Sequence, residues 1–209
     1  MLVDLTHQIN SDTPVYPGTE QAKLSDACTI AKDGFHETLL QFYSHTGTHI
    51  DAPAHIIPNG CALNSFTINW FCGNAIKIPL SNSSAPTPDS ILNIINNVAS
   101  KVDFILFNTN WDKYWGTDKY FNGFPTISIE VCKLLCSLKL KAIGFDTISV
   151  DAVGDENLPR HKKLLENNIL IIENLTQLET LPDNPFLFFC PPLKSAAVDG
   201  GPVRAFAQL

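Results

Sequence analysis

The sequence predicts a single α/β domain. A chain of 209 residues suits one domain with a sizeable core. Its second half alternates short apolar runs with segments of helical spacing, the pattern of strands joined by helices. Its first eighty residues carry their apolar stretches in strand-like runs instead.

Taken in order, Leu2–Thr6, Glu37–Phe42 and Ala75–Pro79 read as strands. Ser81–Asp89 is rich in Ser, Asn and Pro and connects two elements rather than two domains. Residues 90–100 place apolar side chains at helical spacing, with Asp89 or Ser90 as the expected cap. Phe104–Phe107 is an apolar run of the buried-strand type. Ser128–Leu138 is the next helix. Val131 stands three residues after Ser128, so a full capping box is absent. Ala142–Asp146 is a second buried strand, and Pro159–Glu166 is a short helix with proline in its first turn. Asn167 and Asn168 end that helix, and Ile169–Ile172 follows as a strand. No repeat, low-complexity tract or charge block interrupts the series, so residues 1–209 read as one unit.

Composition narrows the function. Apolar residues make up 44%, as in ordinary globular chains, but charged residues only 17%, against roughly 25% typically. Low surface charge suggests that some surface is hidden in an oligomer. The net charge of −7 argues against nucleic acid, whose phosphates need a Lys/Arg footprint. It leaves anionic substrates open, because a metal can supply local positive charge. Met1–His7 has no basic region before an apolar run and is not expected to be a signal peptide. No apolar stretch approaches the roughly 18 residues of a bilayer span, so no membrane partner is expected. The six cysteines form no CxxC pair and read as reduced thiols, with the cytoplasm as the default compartment.

The chemistry concentrates in Ser44–His55. His45, His49, Asp51 and His55 stand within eleven residues, all at odd positions, so an extended strand would point all four one way. A helix would scatter them, with Asp51 about 240° and His55 about 280° round from His45. Thr46, Thr48 and Ile50 favour strand. Gly47 leaves room between His45 and His49. Pro53 should end regular pairing near Ile50–Asp51, which puts His55 on a turn or loop. Three imidazoles and a carboxylate on one face are how a protein holds Zn²⁺ or Mn²⁺. The βαβ pattern adds a second pair. His161 opens the helix after strand 142–146, and Glu173 lies just past strand 169–172. Right-handed connection brings both to one sheet edge, where open α/β sheets place ligands. There they could complete a metal site; a solvent-facing His161 and a capping or salt-bridged Glu173 are the alternative.

His45-Thr46-Gly47-Thr48-His49-Ile50-Asp51-Ala52-Pro53-Ala54-His55 resembles the signature of the cyclase-like metal-dependent hydrolases, which include bacterial kynurenine formamidase and isatin hydrolase. Asp4–His7, Tyr16-Pro17-Gly18, Gly144–Asp151, His161 through Leu175 and Asp199–Ala205 resemble further segments of that family. The resemblance implies a mixed β/β/α, swivelling-type cyclase-like fold and a homodimer or larger assembly. It implies that His45, His49 and Asp51 hold one divalent metal, and that Asp51, His161 and Glu173 hold a second, with Asp51 alone or Asp51 and Glu173 bridging. His55 would be the proton carrier. Tyr16 matches the place where formamidases bear a substrate-contacting Trp. Gly18-Thr19-Glu20 and Thr48 also depart from the formamidase pattern, and these departures bear on the substrate rather than on the chemistry.

The expected function is hydrolysis of an aryl formamide such as N-formylkynurenine, or of a cyclic amide or imide. Metal activation lowers the pKa of water from roughly 15.7 to around 7, and His55 moves the proton. The alternatives are a non-catalytic metal-binding or scaffold protein, for which an unliganded His55 has no use, and a lyase or isomerase built on the same metal and base. His7 and His36 read as structural or exposed. Cys61 is a poor nucleophile candidate. Trp111, Tyr114 and Trp115 read as core packing before an aromatic pocket, with Tyr114 or Trp115 in a long loop able to cover the site. Arg204 reads as half of an ion pair before a carboxylate binder.

Overall fold

The computed structural model describes all of residues 1–209. The strands are β1 (Leu2–Asp4), β2 (Lys23–Cys28), β3 (Glu37–Gln41), β4 (His49–Asp51), β5 (Cys72–Pro79), β6 (Phe104–Asn108), β7 (Ala142–Phe145), β8 (Leu170–Glu173), β9 (Phe186–Phe189), β10 (Gly200–Pro202) and β11 (Phe206–Gln208). The helices are α1 (Ile30–Asp33), α2 (Pro88–Asn96), α3 (Ile129–Ser137) and α4 (Pro159–Leu165). Nine strands make one sheet in the order β1-β11-β9-β5-β6-β7-β8-β4-β10, and β2 and β3 form a separate hairpin. The four strands β5 to β8 are parallel, and antiparallel strands extend the sheet on both sides. No helix is long and apolar enough to cross a membrane.

Strand alternation splits the core. On β6, Ile105 and Phe107 join one cluster with Ile91, Val131, Leu135 and Leu164, so the helices cover that face. Phe104 and Leu106 point the other way, into a cluster with Ile50, Ile172, Phe188 and Ala207. Those partners come from both ends of the strand order, so the sheet curls round this second cluster. The bridge between Thr6 and Leu175 fastens the curl. A side chain at Gly144 on β7 would put its Cβ 2.7 Å from both Leu106 Cδ2 and Leu175 Cδ1, so a methyl there must push these buried leucines aside.

Most predicted elements stand where expected, with shifted ends. Helix α2 starts earlier than the 90–100 reading. Pro88 takes the first helical position, so Thr87 is the cap, and Thr87 and Ser90 exchange reciprocal bonds. Ser128 caps α3 by accepting from the Val131 amide at 3.2 Å. The strand expected from His45 starts only at His49, but it ends at Asp51, ahead of Pro53, and leaves His55 on a turn as expected. Only His49–Asp51 is strand; His45 sits in a turn, and His55 ends a 3₁₀ turn, Pro53–His55. Gly47, at φ +65°, turns the chain into β4 and so prevents extension back to His45. Arg204 is the ion-pair half foreseen, with its Nη2 2.7 Å from Asp4 Oδ2. His36 is exposed beside Asp26.

Candidate metal centre

Three neighbouring strands and two loops build the site. On β4, His49 and Asp51 share one face while Ile50 enters the core on the other. Glu173 lies opposite His49 in the antiparallel pairing of β4 with β8. Gly200 lies opposite Asp51 in the pairing of β4 with β10. His161 comes from the first turn of α4, and the turn before β4 brings in His45. Asp51 is fully buried, and His49, His161 and Glu173 are almost so. The solvent-facing reading of His161 is therefore excluded.

The two carboxylates stand between the imidazoles. Asp51 Oδ1 lies 2.6 Å from His45 Nδ1 and 3.3 Å from His49 Nε2. Asp51 Oδ2 lies 3.7 Å from His161 Nε2. Glu173 Oε2 is 3.5 Å from His49 Nε2, and Oε1 is 3.3 Å from His161 Nε2. His55 adjoins this group, its ring centroid 3.9 Å from that of His45. Strand parity thus supplied only His49 and Asp51; the turn and the 3₁₀ segment deliver His45 and His55.

These donors fit a cation better than they fit one another. His49 Nε2 and Asp51 Oδ2 are buried without a hydrogen-bond partner, a costly state unless something else completes them. A tetrahedral ion with bonds of about 2.1 Å separates its ligand atoms by about 3.4 Å. Among His49, His161, Asp51 and Glu173 the separations of 3.3, 3.5 and 3.7 Å match that edge, whereas His45 Nδ1, at 2.6 Å, is within hydrogen-bond distance of Asp51. The outer nitrogens are already held. His49 Nδ1 lies 2.8 Å from the Gly47 carbonyl, and His161 Nδ1 lies 2.8 Å from Asp151 Oδ2. Such partners leave Nε2 of both rings free to ligate. Two donor groups overlap at Asp51: His49, Asp51 and Glu173, and His45, Asp51 and His55.

Electrostatics point the same way. Burial opposes charge on His49, but the Asp51 and Glu173 carboxylates override it and push its pKa up to about 10. Burial likewise opposes charge on His161, yet Asp151, Asp51 and Glu173 raise its pKa well above the usual value. Against burial, His45 and His49 hold Asp51 well below the usual carboxylate range. A site that draws protons onto its imidazoles this strongly demands positive charge, which a divalent ion supplies in their place. His55 differs. Burial, helped by His45 and His161, lowers its pKa despite Asp51 and Glu173. Its surroundings favour the neutral imidazole.

The cluster opens into a cavity of about 620 Å³, lined also by Tyr16, Thr19, Tyr43, Ile56, Ile148 and Leu158. Tyr16 is on this wall, and its hydroxyl accepts from the Gly154 amide at 3.2 Å. Trp111, Tyr114 and Trp115 do not line the cavity. They pack with Tyr120, Phe124 and Ile148, and the Tyr120 hydroxyl donates to Asn174, which donates to Gly47. His7 stacks on Trp115 with centroids 3.8 Å apart. Its role is structural.

Three residues were missed. Asp151 accepts from His161 Nδ1 and from the Arg160 and His161 amides, so it both orients a donor and caps α4. Its position in the loop ahead of a predicted helix was the available signal. Asn174, next to Glu173, ties the Gly47 turn to β8. Asp199 accepts from His45 Nε2 at 2.9 Å. It sits 154 residues from His45, and no local pattern links them.

The Cyclase family model, described as Putative cyclase, matches residues 3–152. A kynurenine formamidase of Salinibacter ruber is 28% identical over 208 residues, covering 98% of this chain and 95% of the relative. The crystal structure of an isatin hydrolase bound to the product analogue thioisatinate superposes with a TM-score of 0.87 at 24% identity, covering 100% of this chain and 92% of that one. A potential metal-dependent hydrolase with cyclase activity gives a TM-score of 0.79 at 23% identity, covering 99% and 96%. The two structural likenesses establish the mixed α/β fold with its curled sheet.

Proposed function

The chain belongs to this cyclase family, and from that premise we propose that it is a metal-dependent hydrolase of amide bonds. The carrying observation is the set of converging donors around Asp51, with His49 Nε2 and Asp51 Oδ2 buried and unpartnered. His45, His49, Asp51, His161 and Glu173 would hold one or two divalent ions, zinc or manganese by their nitrogen and oxygen donors. When bound, the metal polarises the substrate carbonyl and acidifies water.

The chain's own residues do the rest. His55, neutral and beside the donors, accepts a proton from the attacking water and returns it to the leaving nitrogen. The carbon–nitrogen bond breaks, and an amine and a carboxylic acid result. Asp151 and the Gly47 carbonyl hold the His161 and His49 rings in place. Tyr16, Tyr43, Ile56 and Ile148 offer an aromatic and aliphatic wall. No Lys or Arg lines the cavity, whereas Asp155 and Glu156 do. That charge supports a neutral aryl amide or one bearing an ammonium group. N-formylkynurenine, the substrate expected from the sequence, carries an aryl formamide, an ammonium group that Asp155 and Glu156 suit, and a carboxylate for which the cavity wall offers no Lys or Arg.

The hairpin of β2 and β3 supports a homodimer or homotetramer. It exposes Leu24, Leu39 and Leu40 and pairs with no other strand of its own copy, although an isolated hairpin is marginal in water. The six free thiols support a cytoplasmic setting.

The test is to strip the metal, assay N-formylkynurenine and isatin, and restore zinc or manganese. Activity should vanish and return. His55→Ala should lose rate by about 10²-fold or more while keeping its metal, and Asp51→Ala should lose the metal. Turnover undiminished after complete metal removal would refute the proposal.

A further inference from the structure

A histidine ligand presents one ring nitrogen, and whatever binds the other nitrogen decides which. The Gly47 carbonyl takes Nδ1 of His49, and Asp151 takes Nδ1 of His161, so both present Nε2. His45 is turned the other way. Its Nε2 lies 2.9 Å from Asp199 Oδ2, outside the donor cluster, and its Nδ1 lies 2.6 Å from Asp51 Oδ1, the carboxylate at the cluster's centre.

The chain is shaped to keep Asp199 there. Ser44 Oγ donates to Asp199 Oδ1 at 3.0 Å, and the Ala52 amide donates to the Asp199 carbonyl at 2.8 Å. The next residue is Gly200. A Cβ there would stand 2.8 Å from His45 Cε1 and 2.7 Å from the Ile50 carbonyl oxygen. The His45 ring therefore lies against bare backbone, and the His55 ring centroid is 3.9 Å from its own. His55 Nδ1 is 3.4 Å from the same Asp199 oxygen.

We propose that Asp199 is a positioning residue, which makes His45 the Nδ1 donor of a centre whose other two histidines ligate through Nε2. The inference rests on the reading that the cluster holds a divalent ion.

The test uses the full chain loaded with zinc, with ¹⁵N-detected histidine spectra that distinguish Nδ1 from Nε2 coordination. The parent should show one Nδ1-bound, Nε2-protonated ring and two of the opposite kind. Asp199→Ala should lose the Nδ1-bound signature, and its zinc affinity, measured by chelator competition, should fall about 10- to 100-fold. Asp199→Asn keeps an acceptor oxygen and should retain the signature with a smaller loss. Three Nε2-bound rings in the parent would overturn the inference whether or not the alanine variant folds. So would an Asp199→Ala protein with the parent's spectrum and affinity. A parent that takes up no zinc would instead overturn the centre itself, before any variant is compared.

Discussion

Removing Asp151 should damage the fold and the metal centre together, by amounts that can be read separately. Its carboxylate is completely buried and accepts four hydrogen bonds. They come from the His161 amide at 3.0 Å, His161 Nδ1 at 2.8 Å, the Arg160 amide at 3.1 Å and Arg160 Nη1 at 3.1 Å. Asp151→Ala strands two amides at the start of α4, a loss worth about 1 kcal/mol for an ordinary cap. It also leaves the Arg160 guanidinium, mostly buried, without its carboxylate. Breaking a buried charged pair costs about 3–5 kcal/mol. With about 2–4 °C per kcal/mol for a domain of this size, the metal-free protein should melt roughly 8–24 °C lower. His161 would lose the partner that orients it, and zinc affinity should fall about 10- to 100-fold. Circular-dichroism melts of the chelated protein measure the first effect, and competition with a calibrated chelator measures the second. A variant melting within about 2 °C (roughly 1 kcal/mol) of the parent with unchanged affinity would refute the reasoning.

Other consequences can be tested directly. Gly144→Ala forces a methyl against Leu106 and Leu175 and should cost about 1–3 kcal/mol in denaturant melts, with the cavity untouched. Burial pushes the His7 pKa down to about 4, with Asp112 opposing. The folded value lies below the unfolded one, so this stability is present above about pH 6.5 and lost as pH falls through 4. His7→Phe should therefore lack about 3 kcal/mol of the parent's decline across that window, which urea titrations of both proteins would show. Replacing Leu24 and Leu40 by glutamate should leave monomers in light scattering; an unchanged oligomer would remove the hairpin from the interface.

Much of the second half was legible because its elements announce themselves chemically. Phe104–Phe107, Ala142–Phe145 and Ile169–Ile172 are apolar on consecutive residues, as strands buried on both faces must be. The right-handed rule then puts His161 and Glu173 on one sheet edge from the sequence alone. What escaped was short or non-local. Gly200–Pro202 and Phe206–Gln208 have three residues each, too few to show a period. Lys23–Cys28 is mostly polar and exposed, so burial imprints no alternation on it. The histidine motif was recognised for a partly mistaken reason. Its four members do converge, but a left-handed glycine and a 3₁₀ turn bring in two of them. Residue spacing records which side chains meet more faithfully than it records the path between them.

The pairing of β10 with β4 also sets an order of events. His45 and Asp199 are 154 positions apart, so their meeting closes one of the longest loops in the chain. Long closures carry the larger entropy cost and come late in folding. The parallel strands β5 to β8 lie much nearer one another in sequence and can assemble first. Ion capture is then expected to trail core formation. In stopped-flow refolding, a dye reporting zinc uptake should lag behind the signal from the buried core.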